Sequence, residues 1–192
     1  MLVGGDRLKN RLFAFLLLVI GGLGLYFSFI ILMLRGPDLK TVDYYSNHDN
    51  YEKLTGKIEK IDPYQLDTDS RDLYIIIDVN NDSYNGYFRV IPANEKILKE
   101  NGFYDDIKVG DTVTIFSAPG YFGDGYRVPI VGLRTETKEY LDFDVGMLHQ
   151  VDYSESEKNK FLTLFIPSIS ISIFSLGLSI LLFIRYGNHL KK

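Results

Sequence analysis

Two blocks of the 192-residue chain carry no charged side chain: Leu12 to Leu34, 23 residues, and Phe161 to Ile184, 24 residues. At about 1.5 Å of rise per residue, a helix of either length exceeds the roughly 30 Å hydrocarbon core of a bilayer. The remaining length accommodates one modest soluble domain. Bulk composition hides this division, because 46% apolar residues and a formal net charge of −4 resemble a small soluble protein. The charges crowd between the blocks, where residues 36–160 hold 14 Lys or Arg against 24 Asp or Glu, a net charge of −10.

The first block follows Arg7, Lys9 and Arg11, much as a secretory signal peptide begins. A signal h-region runs about 7–15 residues and ends at a small-x-small cleavage site. This block is longer and exits through Met33-Leu34-Arg35-Gly36-Pro37, so it reads as a retained anchor. The second block contains Pro167 and five Ser, which bundled membrane helices tolerate. The chain therefore divides into a basic N-terminus (1–11), a first span (12–34), a domain (35–160), a second span (161–184) and a basic tail (185–192). Arg7, Lys9, Arg11, Arg185, Lys191 and Lys192 flank the outer ends of the spans, against Arg35, Lys40, Lys158 and Lys160 on the domain side. Positive charge favours the cytoplasmic side, which puts both termini there and the domain outside. The membrane expected is a cytoplasmic membrane.

Small residues recur at offsets of 3, 4 and 7 in both spans: Ala14, Gly21, Gly24 and Ser28, then Ser168, Ser172, Ser175 and Ser179. Such offsets fall on one helix face. In lipid, small faces let backbones approach closely, so the spans are expected to pack as an antiparallel hairpin. A polar pathway along the Ser face is the sharper alternative. Conducting spans usually carry an ionisable group, however, and these carry none.

Between the spans, β-type runs at Leu54–Ile61, Leu73–Val79, Gly86–Pro92, Asp111–Ser117 and Tyr126–Thr135 are separated by turn-rich segments. A weaker run covers Glu139–Asp144. Residues 80–86, NNDSYNG, form the natural turn of a hairpin between the second and third runs. Ala93–Glu100 is rich in helix formers and stops at Asn101-Gly102. Pro129 fits the fifth run only at an edge or a bulge.

Three strands, a helix and two strands is the order of an OB-fold. From Thr55-Gly56-Lys57-Ile58 through Val109-Gly110-Asp111-Thr112-Val113, the segment resembles the OB-type barrels of bacterial two-pass membrane proteins. The fold class expected is thus a membrane α-helical hairpin plus a small, mainly-β, OB-like barrel of five or six strands with one short helix. The run at Glu139–Asp144 and the position of Pro129 depart from the pattern, and a meandering sheet or an SH3-like barrel suits the same runs.

Few motifs carry chemistry. Asp78-x-Asn80-x-Asp82 begins like a calcium loop, but its sixth position is Ser83 and its twelfth is Arg89. Three His and no Cys provide no zinc-ligand spacing and no thiol nucleophile, so neither a metal nor another cofactor is expected. No Gly-x-Ser-x-Gly or Ser-x-x-Lys arrangement occurs, and no catalytic residue is assigned. OB barrels bind ligands on strands two and three and on the loops joining strands one to two and four to five. Here those loops carry Tyr64, Asp67, Asp69, Arg71, Tyr121, Phe122 and Asp124 as candidate ligand-binding residues. Nucleic-acid binders use basic grooves, so nucleic acid is excluded as a partner of this acidic domain. The expected function is a membrane-anchored, non-catalytic binding or assembly module. Its partners are membrane lipid and another envelope or membrane protein, with a second copy of itself as an option. A pore or transporter subunit and an envelope enzyme using loop carboxylates are the alternatives.

Overall fold

A computed structural model of the protein describes residues 3–35, 38–62, 73–80, 84, 86–119 and 128–188. These fall into two compact units, Asp38–Glu157 and the combination of Met1–Pro37 with Lys158–Lys192.

The Asp38–Glu157 unit is organised by its longest strand. β1 (Glu52–Asp62) pairs antiparallel through Glu52–Lys57 with β4 (Thr112–Ser117), and through Gly56–Asp62 with β2 (Leu73–Val79). The changeover falls at Gly56, where a Cβ would lie 2.3 Å from the carbonyl oxygen of Asp78. A side chain there would hold the two strands apart. β2 continues antiparallel to β3 (Tyr87–Val90), β3 pairs parallel with β5 (Val128–Arg134), and β5 returns antiparallel to β4. The ring β1-β2-β3-β5-β4 is a closed five-stranded barrel, and β6 (Glu139–Leu141) adds a sixth strand along β5. Ile58, Ile75, Ile77, Phe88, Ile115 and Leu133 point inward and are essentially inaccessible. Each contributes roughly 2 kcal/mol on leaving water. Pro129 lies at the start of β5, where the β4 register shifts by a bulge and the Ser117 hydroxyl donates to the Pro129 carbonyl at 2.7 Å.

Between β3 and β4, α3 (Pro92–Glu100) starts with Pro at its first turn and buries Asn94 and Leu98. It stops as expected: Asn101 N–H donates to the Ile97 carbonyl, and Gly102 takes a left-handed conformation at φ 76°. The single short helix expected is joined by two others, α2 (Asp38–Ser46) and α4 (Phe103–Asp106), and by a 3₁₀ turn at His48–Asn50. The run expected as a strand at Glu139–Asp144 is split. β6 ends at Leu141, and α5 (Phe143–Asn188) begins two residues later with the Asp142 carboxylate accepting from Val145 N–H at 3.0 Å. An aspartate that caps a helix overrides the β tendency of the residues after it.

The other unit combines α1 (Val3–Arg35) with the C-terminal part of α5. Its burial pattern is inverted relative to a water-soluble helix pair: Leu12 is 66% and Phe174 71% exposed, whereas Ala14, Ser172 and Ser179 are 1% exposed or less. Both helices are long and apolar enough to cross a membrane. α5 is 46 residues long and extends well beyond the expected 161–184 span, with Pro167 accommodated inside it.

Candidate functional site

The ligand-binding residues expected from the loops lie outside the described residues. Tyr64, Asp67, Asp69 and Arg71 fall in 63–72, and Tyr121, Phe122 and Asp124 in 120–127. The base of the second loop is described, and there the Tyr44 hydroxyl donates to the Pro119 carbonyl at 2.8 Å. Tyr44 packs edge-on to Tyr45, whose carbonyl accepts from the Tyr51 hydroxyl at 2.8 Å. Burial raises the Tyr51 hydroxyl well above its ordinary pKa, with Tyr45 and Tyr44 adding to the shift. Burial likewise raises Tyr84, followed by the nearby Glu52 carboxylate. These tyrosines stay protonated throughout the physiological range, Tyr51 as a hydrogen-bond donor and Tyr84 as a ring stacked on Phe88.

Alternation along β3 puts Arg89 on the outside of the barrel, the face that OB proteins use for ligands, and the bulge in β5 leaves Val131 apart from the core cluster. Here the first turns of α5 cover it. The Arg89 guanidinium stacks 5.0 Å from the ring centre of Tyr153, and Val131 is fully buried. At Gly146 a Cβ would lie 2.0 Å from the Val131 carbonyl oxygen, so α5 meets β5 at backbone distance. Asn94 locks this contact from α3. Its Nδ2 donates to the carbonyls of Ile130 and Gly146 at 3.2 Å each, which leaves Oδ1 to accept from His149 Nδ1 at 2.9 Å. That assignment puts the imidazole proton on Nδ1. Tyr153 and Tyr44 are both engaged in contacts within the barrel unit.

A second outer face, over β1, β4 and β5, is open. Its register places Lys53 opposite Phe116 and Thr55 opposite Thr114, and across the next ladder Phe116 opposite Gly132 and Thr114 opposite Arg134. A groove of about 560 Å³ is lined there by Lys53, Thr114, Arg134 and the 135–139 turn. At its edge Lys138 Nζ donates to Asp106 Oδ2 at 2.7 Å, and Tyr140 donates to the same oxygen at 3.2 Å. The Lys138 hydrogen bond is the main cause holding the Asp106 carboxyl below its usual range, and the same bond raises Lys138. The sequence signal for this face is the alternation Lys53-x-Thr55-x-Lys57 and Thr112-x-Thr114-x-Phe116. It is indistinguishable from an ordinary solvated strand face until the register aligns it.

In the hairpin unit, the small residues picked out by spacing meet across the two helices. Ser28 Oγ lies 2.9 Å from Ser168 Oγ and also donates to the Gly24 carbonyl, and Ser179 Oγ donates to the Ala14 carbonyl at 2.7 Å. Ser172 donates back to the Ser168 carbonyl within its own helix, and Ser175 is buried. A Cβ at Gly21 would meet Leu176 Cγ at 2.6 Å, and one at Gly24 would meet the Ser172 hydroxyl at 2.2 Å. Among the described residues, no group of three His, Asp or Glu could hold a metal ion. Comparison with family models, curated proteins and solved structures finds no match for this chain.

Proposed function

We propose that the chain is a two-pass integral membrane protein of the cell envelope. In this reading both termini are cytoplasmic, and an OB-type barrel stands outside the membrane as a non-catalytic binding or assembly module. The observation that carries it is the inverted burial of the hairpin unit. Large apolar side chains such as Phe13, Phe15, Ile173 and Phe174 are more than half exposed, while the hydroxyls of Ser28, Ser172 and Ser179 are buried and hydrogen-bonded. Lipid is the solvent in which that distribution is stable, because it accepts apolar side chains and leaves hydroxyls to find partners inside the protein. The hydroxyls of Ser28, Ser172 and Ser179 are used within the hairpin, which supports a packing role for the Ser face over a conducting one.

The strand pairing supports the OB reading: β1 is shared between β2 and β4, a parallel β3–β5 pair closes the ring, and a helix lies between β3 and β4. With α5 laid on the outer face of β3 and β5, partner binding is left to the loops at 63–72 and 120–127 and to the open face of β1, β4 and β5. The predicted partner is another envelope or membrane protein. Crosslinking in intact membranes, followed by mass spectrometry of the adducts, tests this. A discrete adduct through residues 38–157 supports the module, whereas adducts confined to the two spans favour a channel-type assembly.

A further inference from the structure

The open face of β1, β4 and β5 carries two cations, Lys53 and Arg134, beside the carboxylates of Glu136 and Glu139. Residues 36–160 hold 24 acids and 14 bases, so a cation on this domain has carboxylates in abundance. Yet Lys53 and Arg134 make no ion pair with any of the described residues, although Glu139 is the register partner of Arg134 and Glu136 lies in the adjoining turn. Arg134 is held in place from below. Its guanidinium carbon lies 5.5 Å over the centre of the Phe116 ring, and that ring rests against Gly132, where a Cβ would lie 2.8 Å from Phe116 Cδ2. Phe143 packs on Phe116 at 5.2 Å. A guanidinium held over a ring by its charge keeps N–H donors available for hydrogen bonds to another group.

We propose that this groove binds the phosphate group of a small hydroxylated ligand, a sugar phosphate or polyol phosphate. Arg134 would take the phosphate edge-on, with Lys53 as the second charge. The hydroxyls of Thr114 and Thr137 can donate or accept, and the carboxylates of Glu136 and Glu139 accept from sugar hydroxyls. The two acids at the rim repel a polyanion but tolerate a single phosphate placed between two cations. The volume of about 560 Å³ suits a small molecule. This site deepens the binding role proposed above and rests on the barrel being a binding module. It needs neither membrane insertion nor a protein partner.

The test is a calorimetric titration of the full chain, in a polyoxyethylene detergent free of sugar and phosphate, with glucose 6-phosphate, inorganic phosphate and glucose. Saturable binding of glucose 6-phosphate is expected, weaker on the order of tenfold in both Arg134→Gln and Lys53→Gln. Arg134→Lys, which keeps the charge but loses the fork, should fall in between. Glucose should not bind, and inorganic phosphate should bind more weakly than the ester. Added phosphatidylinositol phosphate that competes identifies a lipid headgroup as the source of the phosphate, and failure to compete identifies the free ester. Absence of saturable binding overturns the proposal, and so does binding unchanged in folded Arg134→Gln and Lys53→Gln, or equal binding of ester and inorganic phosphate. A negative titration in detergent leaves the membrane reading intact, and loss of the membrane reading leaves the titration interpretable.

Discussion

At Gly146 a single methyl group separates two incompatible packings. Its Cβ would lie 2.0 Å from the Val131 carbonyl oxygen, and backbone geometry fixes both positions, so no side-chain rotation relieves the clash. Gly146→Ala is therefore expected to cost about 3 kcal/mol, read as a lower urea midpoint, because overpacking at a rigid contact forces the helix off the strand. A change below about 0.5 kcal/mol would show that the close approach is wrong. Asp106 and Lys138 make a different kind of prediction. The Asp106 carboxyl is lowered in the folded state, so its contribution to stability is complete above its unfolded value of 3.8 and is lost as pH falls through the lower folded value. Lys138 is raised, so its contribution is complete below 10.5 and is lost only as pH rises through the higher folded value. Both contributions are present at neutral pH. The pair is exposed, so its effect is small and screened by salt. Asp106→Asn should lower the melting temperature slightly at neutral pH in low salt, and the difference should vanish in strong acid. A difference that persists there would assign the effect to packing.

The elements differ in how plainly the sequence shows them. The strands of the barrel, the helix after β3 and both apolar spans follow from alternation, helix formers and unbroken hydropathy, because each buries a face with the period of its own backbone. The first turns of α5 do not. Gly146, His149, Gln150, Tyr153 and Ser154 share one face at offsets of 3 and 4, but a glycine and polar groups carry no hydrophobic period. That stretch docks through a backbone approach and the Asn94 hydrogen bonds instead. The open groove was hidden for a related reason: Lys53, Phe116 and Arg134 lie on three strands, and only the register brings them together. The hairpin seam is the most testable element, because the chain has no native Cys. In the double variant Ser28→Cys with Ser168→Cys, the 2.9 Å between the native hydroxyls predicts a disulfide under mild oxidation, seen as a gel shift without reductant. Ser28→Cys with Phe174→Cys, which places one thiol on the outward face, should not crosslink within a chain. Equal crosslinking of both pairs would contradict the seam.

At the scale of the whole molecule, two regions suit two different solvents. The domain between the spans carries a net charge of −10, whereas the helical hairpin exposes a broad apolar surface and buries Ser28, Ser172, Ser175 and Ser179. A water-soluble monomer rarely exposes such a surface. In sealed vesicles of cytoplasmic orientation, protease added outside should spare residues 38–157 and reach them only after the vesicles are opened. Digestion of that segment in intact vesicles would reverse the proposed sidedness while preserving the two spans. The most direct measurement of the central claim is alkaline carbonate extraction of membranes from cells making the full chain, followed by centrifugation. The chain is expected to stay with the lipid pellet and to be released only by detergent. Recovery in the carbonate supernatant would contradict it.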